Sequence, residues 1–170
     1  MTSCAVNRAK LVDEPIVEML LSRKYLKSGI KFMKADLQSD FEGTDIVYYV
    51  NGKKRSLNVK RNSSKYFNSP NFTITVKKDK LDVYNNTSFV FIDEVADCLY
   101  IVDGVELLKY ILNHSNNMRQ SDKNNNYYII IPKNDIISMI DNKEYIIKYN
   151  KAIANLFAIG RDESNYMNLN

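Results

Sequence analysis

The sequence predicts an α/β (α+β) fold: a single domain with a central mixed β-sheet flanked by helices. Three observations predict it. An apolar pattern at helical spacing opens the chain, a hairpin signal follows at Asn51-Gly52, and short β-rich segments then give way to helical ones. A length of 170 residues with 45% hydrophobic residues supplies one core.

The elements follow in order. Residues 11–27 read as a helix, with Leu11, Ile16, Val17, Leu20 and Leu21 near one face and Pro15 in the first turn. Asp13 and Glu14 complement its positive end, and Ser28-Gly29 ends it. Residues 30–33 read as a short strand and 36–43 as a polar loop. Asp45 to Val50 is β-branched and aromatic, Asn51-Gly52 is a favoured tight turn, and Arg55 to Arg61 returns as the second strand. On that strand Leu57 and Val59 face the core, while Asn58 and Lys60 share the other face.

Residues 62–71 are loop-like, and Phe72 to Val76 alternates as a strand or extended arm. Residues 89–92 and 98–102 are buried-type strands, and Asp103-Gly104 leads into a helix over 105–113 with Leu107, Leu108, Ile111 and Leu112 inward. Residues 114–126 are polar and Asn-rich. A strand over 127–131 is closed by Pro132, and Asn134 or Asp135 caps a short helix through Ile140. A final helix is expected over 143–159, with a frayed tail over 160–170.

Composition excludes several classes. No apolar run approaches the roughly 20 residues of a membrane span, and the N-terminus lacks the apolar stretch of a signal peptide, so a cytoplasmic location is expected. Cys4 and Cys98 form no disulfide framework, and His114 is the only histidine, which disfavours a structural zinc site. Richness in Asn, Lys, Ile and Tyr points to an AT-rich genome, that of a low-GC bacterium, phage or plasmid. Net charge is only +4, but its distribution is uneven. Lys53, Lys54, Arg55, Lys60, Arg61 and Lys65 fall together without an acid. That segment can track phosphates or form a solvated hairpin rim. Asp93, Glu94 and Asp97 form a second acidic group that could hold a metal but reads first as a solvated loop, and His114 reads as a helix-end residue in contact with the dipole. Among the tyrosines, Tyr48, Tyr49 and Tyr66 lie near the basic hairpin, where they could stack on bases or serve packing.

Metal-assisted cleavage of a phosphodiester needs oxygen ligands on a rigid element, plus a cation that orients water and offsets phosphate charge. A hairpin meets that need with Asp45 before the turn and Asn58 and Lys60, two residues apart on one face, after it.

The stretches Asp40-Phe41-Glu42-Gly43-Thr44-Asp45-Ile46 and Leu57-Asn58-Val59-Lys60-Arg61 resemble the core motif of the PD-(D/E)xK nucleases. The resemblance spans about residues 11–113. It implies a restriction-endonuclease-like fold with Asp45, Asn58, Lys60 and Glu18 (Glu14 as alternative) in the catalytic site. It also implies Mg²⁺ or Mn²⁺ held by Asp45, Asn58 and the Val59 main-chain carbonyl. The usual second acid is Asn58 here, which removes one negative charge and weakens metal affinity. Lys53, Lys54, Arg55, Arg61 and Lys65 would hold the nucleic-acid backbone. DNA is the first candidate partner, no membrane is implied, and a homodimer stays open. The alternative is a catalytically inactive nuclease-fold module that binds nucleic acid or a protein partner.

Overall fold

The computed structural model describes residues 12–36, 44–61, 71–121 and 126–156. The expected loop residues Asp40 and Gly43, the candidates Lys65 and Tyr66, and the tail beyond Gly160 lie outside the described residues.

Helix α1 spans Glu14–Lys24, with Pro15 in its first turn, Glu14 at its positive end, and Arg23 and Lys24 at its negative end. It is shorter than the predicted 11–27. A 3₁₀ turn over Leu26–Ser28 carries the chain to Gly29, whose φ of 70° supplies the left-handed stop. Strand β1 is Phe32–Lys34, two residues later than expected at its start. Strands β2 (Ile46–Val50) and β3 (Lys53–Arg61) form the predicted hairpin. Asn51 and Gly52 both have positive φ, 50° and 76°, as a two-residue turn matched to strand twist requires.

Strand β4 is Asn71–Lys77, β5 is Thr87–Asp93 and β6 is Cys98–Asp103. Helix α2 covers Gly104–Asn113, capped by the Asp103 carboxylate, which accepts from the Val105 amide at 2.8 Å. Strands β7 (Arg119–Gln120) and β8 (Asn126–Pro132) and helix α3 (Lys133–Ser138) follow. Strand β9 (Ile146–Lys148) and helix α4 (151–156) end the described chain.

The strands form two sheets. The larger has the order β1-β2-β3-β5-β6-β9, and the smaller β4-β8-β7. In the larger sheet β3 and β5 run parallel while the other neighbours are antiparallel, so the predicted mixed sheet is present. One face carries Leu57, Val90, Ile92 and Leu99 against Ile16, Val17 and Leu21 of α1. The other carries Phe89, Phe91, Tyr100 and Val102 against Phe72, Ile74, Ile129 and Ile131 of the small sheet and Leu107 and Ile111 of α2. Each group buries apolar area from elements far apart in sequence; the first fastens α1 to the large sheet, and the second holds the two sheets together.

Several expectations are corrected. On α2 only Leu107 and Ile111 are fully buried; Leu112 is 56% exposed, because it falls outside the stripe facing the sheet. Neither Asn134 nor Asp135 caps α3. Pro132 occupies that position, and Asp135 instead accepts from the Tyr110 hydroxyl at 2.6 Å. Helix α3 also ends before Ile140. The expected helix over 143–159 is a 3₁₀ turn, then strand β9, then α4. Ile146 and Ile147 pack into the two opposite cores from the edge of β6. Such a short apolar run fits helix and strand alike, and the available sheet edge decides between them. Within the polar, Asn-rich stretch, residues 119–120 pair with β8.

Candidate nucleic-acid cleavage site

Strand β3 has two parts. Residues 53–57 pair with β2, and residues 56–61 pair with β5. Beyond Leu57 no strand among the described residues pairs with the edge facing β2, and Asp45 lies there. The Asp45 amide donates to the Leu57 carbonyl at 3.0 Å, and its own carbonyl accepts from the Ala35 amide at 3.1 Å. Its carboxylate accepts from the Val59 amide at 2.7 Å. Main chain and side chain of Asp45 are thus both fixed. The N–H and C=O of one strand residue project to the same side. The Val59 carbonyl therefore projects to the edge where the Asp45 carboxylate lies.

Asn58 and Lys60 lie beside Phe89 and Phe91 in the β5 register, on the face that meets the small sheet. Both are partly buried, and the Oδ1 atom of Asn58 is fully enclosed. Burial lowers the Lys60 amine below the ordinary lysine value; the Asp45 charge opposes the shift, and Lys77, at the end of β4, adds to it. The hairpin thus brings Asp45, Asn58, the Val59 main chain and Lys60 together. Lys77 was not foreseen from sequence. It is the outward residue ending an alternating strand, and only the second sheet brings its charge within reach of Lys60.

Glu18 lies elsewhere. It is partly buried on α1; burial raises its carboxyl, and Lys34 of β1 is the charge that opposes the shift. Lys34 pairs in register with Ile46, the neighbour of Asp45, but α1 packs on the sheet face opposite Asn58 and Lys60, and the structure does not bring Glu18 to them. Glu14, the alternative, is 5% exposed at the helix start.

Strand parity divides the basic residues. Lys54 and Ser56 share the Asn58–Lys60 face, whereas Lys53, Arg55 and Arg61 point the other way. Arg61 pairs with Asp13 at 2.5 Å and with Glu94 at 3.4 Å, and its guanidinium donates to the Tyr149 hydroxyl at 3.5 Å. Its charge is therefore engaged inside the fold. Asp93, read as solvated, is 7% exposed. It accepts from the Tyr100 hydroxyl at 2.8 Å and the Ala96 amide at 3.1 Å, and pairs with Lys133 at 2.7 Å. Burial works to raise its carboxyl, but these partners hold it below the usual value. His114 ends α2, its Nδ1 lies 2.8 Å from the Tyr110 carbonyl, and its ring stacks on Tyr110.

Among the described residues no three His, Cys, Asp or Glu side chains gather as a metal site. The donors at hand are one carboxylate, one amide oxygen and one main-chain carbonyl. All are hard oxygen donors of the kind Mg²⁺ or Mn²⁺ takes, but the enclosed Asn58 Oδ1 offers no room beside it for a cation's retained waters.

No family model matches the chain, and no curated protein matches it. Among solved structures, a nuclease from a fusselovirus aligns over 94% of this chain and 97% of its own, with 13% identity and a TM-score of 0.49. A bacterial homing endonuclease aligns over 90% and 94%, with 15% identity and a TM-score of 0.37. Likeness at these values says nothing about which residues act.

Proposed function

We propose that this chain is a metal-dependent nuclease of the PD-(D/E)xK type, whose site is the edge of β3 beyond Leu57. The observation that carries the reading is the convergence of Asp45, Asn58 and Lys60 where β2 and β3 part. Asp45, Asn58 and the Val59 carbonyl would hold Mg²⁺ or Mn²⁺. The bound ion would supply an activated water and charge stabilisation at the phosphate.

The protein's own groups do the rest. The Val59 amide fixes the Asp45 carboxylate. Lys60 orients the attacking water and donates to a phosphate oxygen. With its amine below the ordinary value, it exchanges a proton nearer neutrality than a solvated lysine does. Lys77 adds a second positive charge, and Lys54 follows the backbone leaving the site.

A second reading has its own observation. Asn58 leaves the site a single carboxylate, and no acidic triad exists among the described residues. A module that binds nucleic acid or a protein partner without cutting fits that poverty of charge. Titration with Mn²⁺ separates the two. Saturable binding lost in Asp45→Ala supports the nuclease, and no binding at any concentration below millimolar supports the inactive module.

A further inference from the structure

Across the sheet from Asp45, on the α1 face, lies a half-open cavity of about 500 Å³. That is the size of a small-molecule site. Its aromatic wall is continuous. Phe32 stacks on Tyr48 with ring centroids 5.1 Å apart, and Tyr25 packs on Phe32 at 5.9 Å. Tyr145 stands at the mouth, 43% exposed. Burial, and then the neighbouring Tyr145, Glu144 and Tyr48, push the Tyr25 hydroxyl above its usual value, which marks how closely these rings gather.

The charge of the lining is the second observation. Asp103, Glu106 and Asp141 line the cavity against the single base Arg55. In a chain of net charge +4 this is a local reversal of sign. Asp103 also caps α2, and Lys109 pairs with Glu106 at 3.1 Å from outside, a solvated contact that screens it only in part. The faces of aromatic rings attract cations, and here Lys24 already stands 5.9 Å from the Tyr25 ring centroid.

We propose that this cavity binds a small organic cation, an alkylated ammonium with an apolar body. An anion would meet three carboxylates for one guanidinium. A bare metal ion would gain nothing from the aromatic wall or from the apolar floor of Leu21, Leu57 and Ile101. The proposal does not depend on the nuclease reading, since the cavity opens on the other face of the sheet.

The test uses the full chain and titrates choline against its uncharged tert-butyl carbon isostere. Binding is read by calorimetry and by tyrosine emission, which no tryptophan obscures. Choline should bind about tenfold more tightly than the isostere. Tyr145→Ala and Glu106→Gln, both at exposed positions, should each weaken choline binding about threefold or more. Equal affinity for the isostere, no choline binding, or indifference to both rim substitutions would each overturn the proposal.

Discussion

The Asp45 carboxylate accepts the Val59 amide at 2.7 Å at the point where β2 leaves β3. It takes the place of the ladder bond that the departing strand no longer makes, so one side chain both satisfies the β3 main chain there and belongs to the candidate site. The two roles can be separated. Asp45→Ala should lower stability by about 1–3 kcal/mol in urea unfolding, by leaving a partly buried N–H without its acceptor. Asp45→Asn keeps an acceptor and should recover much of that loss while still lacking activity. Equal stability of Asp45→Ala and wild type would remove the structural role.

The hairpin was legible because Asn51-Gly52 fits only a narrow set of turns and because parity on β3 follows from the turn. The placement of Asp45, Asn58 and Lys60 across the hairpin was legible for the same reason. What escaped depends on distant pairing. Nothing local to Phe72–Val76 says that β4 joins a second sheet with β8, so Lys77 could not be placed beside Lys60. Ile146 and Ile147 carry no period long enough to choose strand over helix. Arg61 reads in sequence as one more base holding the nucleic-acid backbone, because its partners Asp13 and Glu94 lie far from it in sequence.

Parity makes a prediction about the basic run. Lys54→Ser should weaken nucleic-acid binding for all sequences alike and lower the salt slope by about one unit. Lys53→Ser, on the opposite face, should do much less. Fluorescence anisotropy at several salt concentrations reads both, and equal effects would show that the run acts as an undivided charge.

Lys60 has a pH signature. Its folded amine sits below the ordinary lysine value of 10.5. Between the folded and unfolded pKa the unfolded chain binds more protons, so this group makes stability rise with pH across that window. Below the folded pKa its burial penalty is fully present. Lys60→Met should therefore be more stable than wild type at neutral pH, with a flatter profile on the alkaline side. An amine titrating at or above 10.5 by NMR would contradict the account.

Helix α2 begins where the chain has no room for a side chain. A Cβ on Gly104 would lie 2.1 Å from the Thr87 carbonyl oxygen and 2.2 Å from that of Tyr84. Gly104→Ala should destabilise the fold by roughly 2–4 kcal/mol, because backbone rather than a movable side chain must shift. A change within about 0.5 kcal/mol would mean the contact relaxes freely.

Asn58 is the residue on which the metal reading turns. Asn58→Asp places a second carboxylate beside Asp45, so divalent-ion affinity should rise at pH 7 to 9 by about tenfold. In the absence of metal the two acids should raise each other's pKa. Calorimetry with Mn²⁺ reads the change, and unchanged affinity would place the ion elsewhere or nowhere.

The most direct measurement is cleavage of labelled single-stranded, duplex and branched DNA and of RNA, with and without Mg²⁺ or Mn²⁺. Wild type, Asn58→Asp, Asp45→Ala and Lys60→Ala would be purified alike and assayed together. The account predicts metal-dependent products from the first two proteins and none from the last two. Cleavage that survives in Lys60→Ala, or the absence of any product from both wild type and Asn58→Asp, would contradict it.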